Sequence, residues 1–208
     1  MNYSQFREKT KQLPFFRSNI FPHFTKKIAI LRRQLVDWKK KGYVIQLKRS
    51  CYTLRKEDRQ TGLSPYFLSN NLYSPSYISL ETALSYYGFI PERVYAITAI
   101  TSKKTQRFSN PFGKFIYHHL RPELYDDFVS HQDEFKNYFF IATPERAVID
   151  FFYFKIRETV NIEKNIFFDS FRLQGLSILN KKKLKILSKK FNHKKLNNLV
   201  TLFIREIL

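Results

Sequence analysis

From Thr25 to Gly42 the chain reads TKKIAILRRQLVDWKKKG, and Ile28, Leu31, Leu35 and Trp38 recur at three- and four-residue spacing. That period predicts a helix with one apolar face, opened by Thr25 as cap and closed by Gly42. At about 100° per residue, Lys26, Arg33 and Lys40 fall nearly opposite the apolar face. After Gly42 the period drops to two. YVIQLKRSCYTL predicts a strand, a tight turn with Lys48, Arg49 and Ser50 at its tip, and a second strand. Upstream, SQFREKTKQL predicts a helix capped by Ser4 and broken by Pro14. Ser18 and Asn19 are candidate caps for a short helix before Pro22.

Beyond Leu54 the pattern alternates between both periods. KEDRQTGLSPYF is polar, holds a Gly and a Pro, and predicts a linker. YFLSNNLY predicts a short helix. In YISLETALSYYGFIPE, Ser79 is a candidate cap; Leu80, Ala83, Leu84 and Tyr87 share a face before Gly88 and Pro91 end the helix. VYAITAIT is β-branched and predicts a strand, NPFG a turn between two more, and NYFFIAT another. TPERAVIDFFYFKI opens a helix with Thr143 as cap, Pro144 at its first position and Glu145 in its first turn, which places Ala147, Val148, Phe151 and Phe152 against the sheet. The remainder predicts two or three helices, among them one amphipathic helix over KKKLKILSKKFNHKKL with a basic outer face. The expected fold class is α+β: an N-terminal winged helix-turn-helix over residues 1–58, then a mixed α/β domain over 59–208 that ends in basic helices.

Charge sharpens this division. The 208 residues carry a formal net charge of +20. Residues 1–60 hold 16 Lys/Arg and 4 Asp/Glu (+12), 61–177 hold 12 of each, and 178–208 hold 9 and 1 (+8). Two basic ends around a neutral middle point to a polyanionic partner, of which nucleic acid is the commonest. Helix, short helix, long basic helix and basic-tipped hairpin is the order in which a winged helix-turn-helix sets its last helix in the major groove and its wing on the flanking backbone. The candidate DNA-binding residues are Lys26, Lys27, Arg32, Arg33, Gln34, Lys40, Lys41, Lys48 and Arg49. Arg32, Arg33 and Gln34 can also reach base edges. A basic run is often only a solvated face. Here it opposes a clean core face, is followed at once by a basic hairpin and is diluted by few acids.

Several classes of chemistry find little support. Cys51 is the only cysteine, which rules out an intramolecular disulfide and a cysteine-based zinc finger. The segment after Met1 lacks the apolar run of a secretory signal, and no eighteen consecutive apolar residues occur, so a cytoplasmic location and no membrane partner are expected. Asp126, Asp127, Glu134 and Lys136, in DDFVSHQDEFK, loosely follow the acid-then-E-x-K order of magnesium-dependent nucleases. The same segment has the composition of an exposed loop. His118 and His119 are adjacent, so on a strand they point apart. Glu145 and Asp150 do not share a helical face, and helix-start electrostatics accounts for Glu145. No Walker A loop, G-x-S-x-G or G-x-G-x-x-G occurs. No catalytic residue, metal site or cofactor is assigned.

PSYISLETALSYYGFIPE, the following VYAITAITSKKTQRFSNPFGKFIYHHL and the later FIATPERAVIDFFYF resemble the AbiEi family. These are antitoxins of type IV toxin–antitoxin (abortive-infection) systems, also described as transcriptional regulators of viral defence. LVDWKKKGYVIQLKRSCYTL is similar to that family's winged helix-turn-helix, and the resemblance spans roughly residues 15–155. It implies that the N-terminal domain binds promoter inverted repeats and represses its own operon. It implies that the second domain counteracts a nucleotidyltransferase-like toxin encoded nearby, without a stable complex. A plain regulator lacking antitoxin activity is the alternative beside the nuclease. One departure is visible: the family wing carries Gly at its tip, whereas LKRSCY has Ser50, which must accept a positive φ or another turn type.

Overall fold

The structure is a computed structural model; it describes residues 1–92, 94–156, 167 and 171–208. The first 54 residues run α1 (Tyr3–Thr10), β1 (Phe16–Arg17), a 3-10 helix (Ser18–His23), α2 (Ile28–Lys40), β2 (Val44–Lys48) and β3 (Cys51–Leu54). The strands form an antiparallel sheet ordered β1-β3-β2. Asn2, not Ser4, caps α1: its side chain accepts from Gln5 N while the Gln5 side chain accepts from Asn2 N, a reciprocal capping box. No side chain caps the 3-10 helix, which runs through Pro22. α2 begins at Ile28, so Lys26 and Lys27 precede it; Thr25 Oγ1 accepts from Lys27 N at 3.1 Å. Gly42 ends α2 at φ +73°, as its position predicts. Leu31, Leu35 and Trp38 of α2 pack with Phe6, Phe16, Phe21, Val44 and Leu54 into one apolar cluster.

The second region is built on a mixed six-stranded sheet ordered β6-β7-β5-β4-β9-β8, from β4 (Tyr77–Ile78), β5 (Ala96–Thr101), β6 (Gln106–Asn110), β7 (Gly113–His119), β8 (Phe128–Gln132) and β9 (Tyr138–Ala142). Pairs β5/β7 and β4/β9 are parallel and the others antiparallel. The molecule is thus α+β. β8 corrects the expectation of a loop at DDFVSHQ. It is an edge strand with Val129 and Ser130 exposed, so it lacks the alternation a half-buried strand shows.

Ala99 and Ile100, adjacent on β5, point to opposite faces and belong to different clusters. On the Ile100 side lie α4 (Leu80–Tyr86), α5 (Pro144–Lys155), α6 (Lys181–Lys190) and α7 (Lys194–Glu206). On the Ala99 side, α3 (Pro65–Leu72) joins Phe115 and Tyr117 with Leu47 and Cys51 of the β2–β3 hairpin. The hairpin's inner face therefore seats on the second region. The stretch read as a linker is packed: Gln60 N donates to Lys11 O at 2.8 Å, and a Cβ on Gly62 would lie 1.8 Å from the Phe135 ring.

Ser79 precedes α4 but makes no side-chain cap bond; its hydroxyl donates to Asp150 instead, at 2.8 Å. Thr143 does cap α5, accepting from Arg146 N. Every residue from Glu145 to Phe152 is buried, because α4, α6, α7 and strand β9 all pack against α5. KKKLKILSKKFNHKKL is two helices: Asn192, at φ +48°, ends α6, and His193 Nδ1 accepts from Leu196 N to start α7. Part of the remainder read as two or three helices, residues 157–166 and 168–170, lies outside the described residues. Among the described residues, no helix is long and apolar enough to cross a membrane.

Candidate nucleic-acid interface

α2 presents two cationic stripes, and the rest of the fold distinguishes them. Arg33 and Lys40 lie opposite the buried face, as the period predicts, but exposed Asp37 shares their side. Arg32 and Lys39, roughly 60–80° round from the apolar centre at about 100° per residue, flank the core instead. On that flank the β2–β3 turn returns. Arg32, Val36 and Lys39 face Ser18, Arg49, Ser50 and Tyr52 across a groove of about 420 Å3, and no carboxylate is among the described residues lining it. Lys39 Nζ reaches Gln46 Oε1 at 2.5 Å, a neutral acceptor that leaves its charge uncompensated. Arg32 and Arg49 are exposed.

The turn itself is two residues long, since Lys48 pairs with Cys51. Ser50 adopts φ +61°, so this serine takes the left-handed conformation that glycine adopts without steric cost. The result holds Arg49 at the lip of the groove.

The other expected contacts are distributed unevenly. Lys26, Lys27 and Lys41 are exposed at the two ends of α2. Gln34 is half-buried, and its Oε1 is buried without a hydrogen-bond partner among the described residues. Lys48 turns away from α2: its Nζ donates to Leu72 O and sits 5.6 Å from the Phe108 ring centre. Burial lowers its pKa, and nearby Arg17 and Lys103 press it the same way against the opposing influence of Cys51. Arg17 donates to Asn71 O at 2.9 Å and Lys103 to Ser74 O at 2.6 Å. Three cations thus converge on the carbonyls around the end of α3, where the helix dipole is negative. They and Arg49 also line a second cavity of about 450 Å3 without a carboxylate among its described lining. Cys51 lines it too, with burial pushing its thiol up against Arg17 and Lys48; a thiol held protonated is a poor nucleophile.

A scan against protein-family models matches none, and a search of the curated proteins finds no match either.

The remaining candidates are drawn into the packing. Asp126 and Asp127 lie before β8, whereas Glu134 and Lys136 lie beyond its far end, about 15–20 Å of extended chain away. Asp127 accepts from Thr143 Oγ1 at 2.6 Å and meets Lys183 at 3.2 Å. Asp126 is bridged by Arg146 at 2.8 Å and Lys190 at 2.6 Å. Glu145 stands in the first turn of α5, as expected, and it also anchors the start of α6: Oε1 accepts from Asn180 N, and Oε2 lies 3.1 Å from Lys183. Arg146 and Asp150 form a fully buried pair at 2.8 Å, with Tyr77 and Ser79 donating to Asp150. Burial pushes the Asp150 carboxyl up, against the guanidinium and the two hydroxyls. The His118 ring lies 5.0 Å from that of Phe154 while His119 reaches Lys103 O, so the two diverge. Among the described residues, no group of three or more His, Cys, Asp or Glu is arranged to hold a metal.

Sequence reasoning missed Lys39, Arg17 and Lys103. A helical wheel ranks cations by distance from the core face, whereas a groove forms beside that face, where a neighbouring element meets the helix.

Proposed function

We propose that residues 1–58 form a winged helix-turn-helix that binds double-stranded DNA, and that the protein is a transcriptional autorepressor and antitoxin. The supporting order is helix, strand, 3-10 turn, helix and hairpin, with β1 joining the hairpin as β1-β3-β2. α2 is then the recognition helix and the β2–β3 turn the wing. The observation that carries the reading is the groove between them, with Arg32 and Lys39 on one wall, Arg49 on the other and no carboxylate among its described lining residues. A phosphate backbone is the chemistry such a groove suits, since neutralising phosphates releases counterions. The exposed Arg33 and Lys40 stripe lies next to it, where base edges would be read.

The antitoxin role rests on the AbiEi-like stretches of the second region, and its partner would be a nucleotidyltransferase-like toxin encoded nearby. Fluorescence anisotropy on duplex from the region upstream of the gene tests the DNA-binding reading. The expected result is binding tighter than to random duplex and weakened by Arg32→Glu with Lys39→Glu. Equal affinity for both duplexes removes the repressor role. Co-expression with the neighbouring gene tests the antitoxin role: rescue of growth is expected, and no rescue leaves a plain regulator.

A further inference from the structure

A third cavity, of about 400 Å3, opens on the face of the second region that carries α3. Tyr125, Phe128, Tyr138 and Phe140 supply its aromatic wall, with Asn70 and Ser76 among its polar lining. Tyr138 and Phe140 alternate with the buried Phe139 and Ile141 along β9, so both project to the same side of the sheet. They remain 65% and 46% exposed, a high value for rings with a cavity beside them. The Phe128 ring is fixed, stacked on Tyr77 at 4.9 Å and edge-on to Phe140 at 5.7 Å. Asn70 is fixed too: its Oδ1 accepts from Phe140 N at 2.6 Å and its Nδ2 donates to Ser76 O at 3.0 Å.

Ser76 is the exception to this satisfied frame. It is only 4% exposed, and its Oγ has no hydrogen-bond partner among the described residues. A buried hydroxyl left unpaired is uncommon and calls for a partner. The residue Ser76 lines an aromatic cavity of the size that binds small molecules. Among the described residues lining it there is no Asp, Glu, Lys, Arg or His. The group that enters is therefore a neutral ring with a hydrogen-bonding edge. The rest of the ligand has a different neighbourhood. Ser74 lines both this cavity and the cationic one of Arg17, Lys48, Arg49 and Lys103. Arg17 and Lys103 bind the carbonyls of Asn71 and Ser74, two residues that also line the aromatic cavity. A neutral aromatic ring attached to an anion fits that pairing.

We propose that the aromatic cavity beside Ser76 binds a nucleobase, stacked on Tyr138 and Phe140 and hydrogen-bonded to Ser76 Oγ, with its phosphate drawn by the neighbouring cations. The base can come from a free nucleotide or from an unpaired position in a strand. The aromatic cavity shares no lining residue with the duplex groove at α2, although Arg49 lines both that groove and the neighbouring cationic cavity.

Calorimetric titration of the full chain tests it, using AMP, GMP, CMP and TMP singly and single-stranded hexanucleotides of dA and dT. Arg32→Glu with Lys39→Glu forms the background, so that binding at the α2 groove is weakened. Saturable binding of at least one probe is expected, weakened roughly tenfold or more by Tyr138→Ala, as loss of a stacking ring does. Tyr138 is exposed, so the melting temperature serves as the control for folding. Ser76→Ala is expected to weaken binding of the same probe. Mononucleotide binding as tight as hexamer binding identifies a free nucleotide as the source, and hexamer binding alone identifies a strand. No binding of any probe at millimolar concentration overturns the proposal, as does binding that Tyr138→Ala and Phe140→Ala leave unchanged.

Discussion

Arg32, Lys39 and Arg49 surround a groove in which no described carboxylate lies. At the other end of the chain, Lys183 and Lys190 of α6 turn inward onto Asp127, Glu145 and Asp126. As sequence, the two regions are similarly basic. As surfaces they differ, because no carboxylate is among the described residues lining the α2 groove, while those that meet α6 come from the β8 approach and α5, more than thirty residues upstream. A lysine run beside an acid-bearing partner element holds a helix in place. The same run beside a hairpin with its own arginine makes an anion site. Lys181, Lys182, Lys185 and Lys189 remain exposed on α6, spread along its outer side.

This contrast can be broken from either end, and the largest effect belongs to the inward-facing region. Arg146→Ala strands Asp150 in the core and is expected to destabilise the fold by about 3–5 kcal/mol, as removal of one partner from a buried pair does. Urea denaturation measures it. A loss under about 1 kcal/mol would mean that the pair is not the anchor of α5. Next comes the outward-facing groove. Arg32→Glu with Lys39→Glu is expected to weaken duplex binding roughly a hundredfold, about 2.7 kcal/mol, with little change in melting temperature. Third, Lys183→Ala with Lys190→Ala is expected to cost roughly 1 kcal/mol of stability, since these pairs are partly exposed. Duplex affinity should stay within about twofold. A large loss of affinity without a loss of stability would erase the distinction between the two regions.

The smallest effect is a pH dependence. Burial alone would raise the Asp133 carboxyl, but bonds from Ser64 and Asn137 outweigh it and hold the group below its usual range. A depressed folded pKa contributes stability that is present above the unfolded value, near 4, and lost as pH falls through the folded value. Asp133→Asn should therefore be less stable than wild type at pH 7, and the gap should narrow below about pH 4. An unchanged gap in urea midpoints would remove Asp133 from the account.

Much of the fold was legible where a single period governs burial. The α2 face, the hairpin after Gly42, the NPFG turn and the Thr143 cap all appear where local pattern places them. Illegible parts were those decided by distant partners. β8 carries an edge strand's exposed side chains, so alternation fails. Ser79 spends its hydroxyl on Asp150, 71 residues away, rather than on a cap. The candidate interface divides the same way. Its location on α2 follows from charge and period, but the choice of Arg32 and Lys39 depends on which flank the hairpin turn approaches. Lys48 was placed at the right turn, yet the end of α3 draws it to the second sheet.

The most direct measurement is the salt dependence of duplex affinity for three proteins: wild type, Arg32→Ala/Lys39→Ala/Arg49→Ala, and Lys181→Ala/Lys182→Ala/Lys185→Ala/Lys189→Ala. Each phosphate contact contributes about −0.9 to the slope of log affinity against log salt. The groove variant should be shallower than wild type by about 2.7, and the α6 variant should match wild type within about one. A slope that the groove substitutions leave intact and the α6 substitutions flatten would place the nucleic-acid surface at the other end of the molecule.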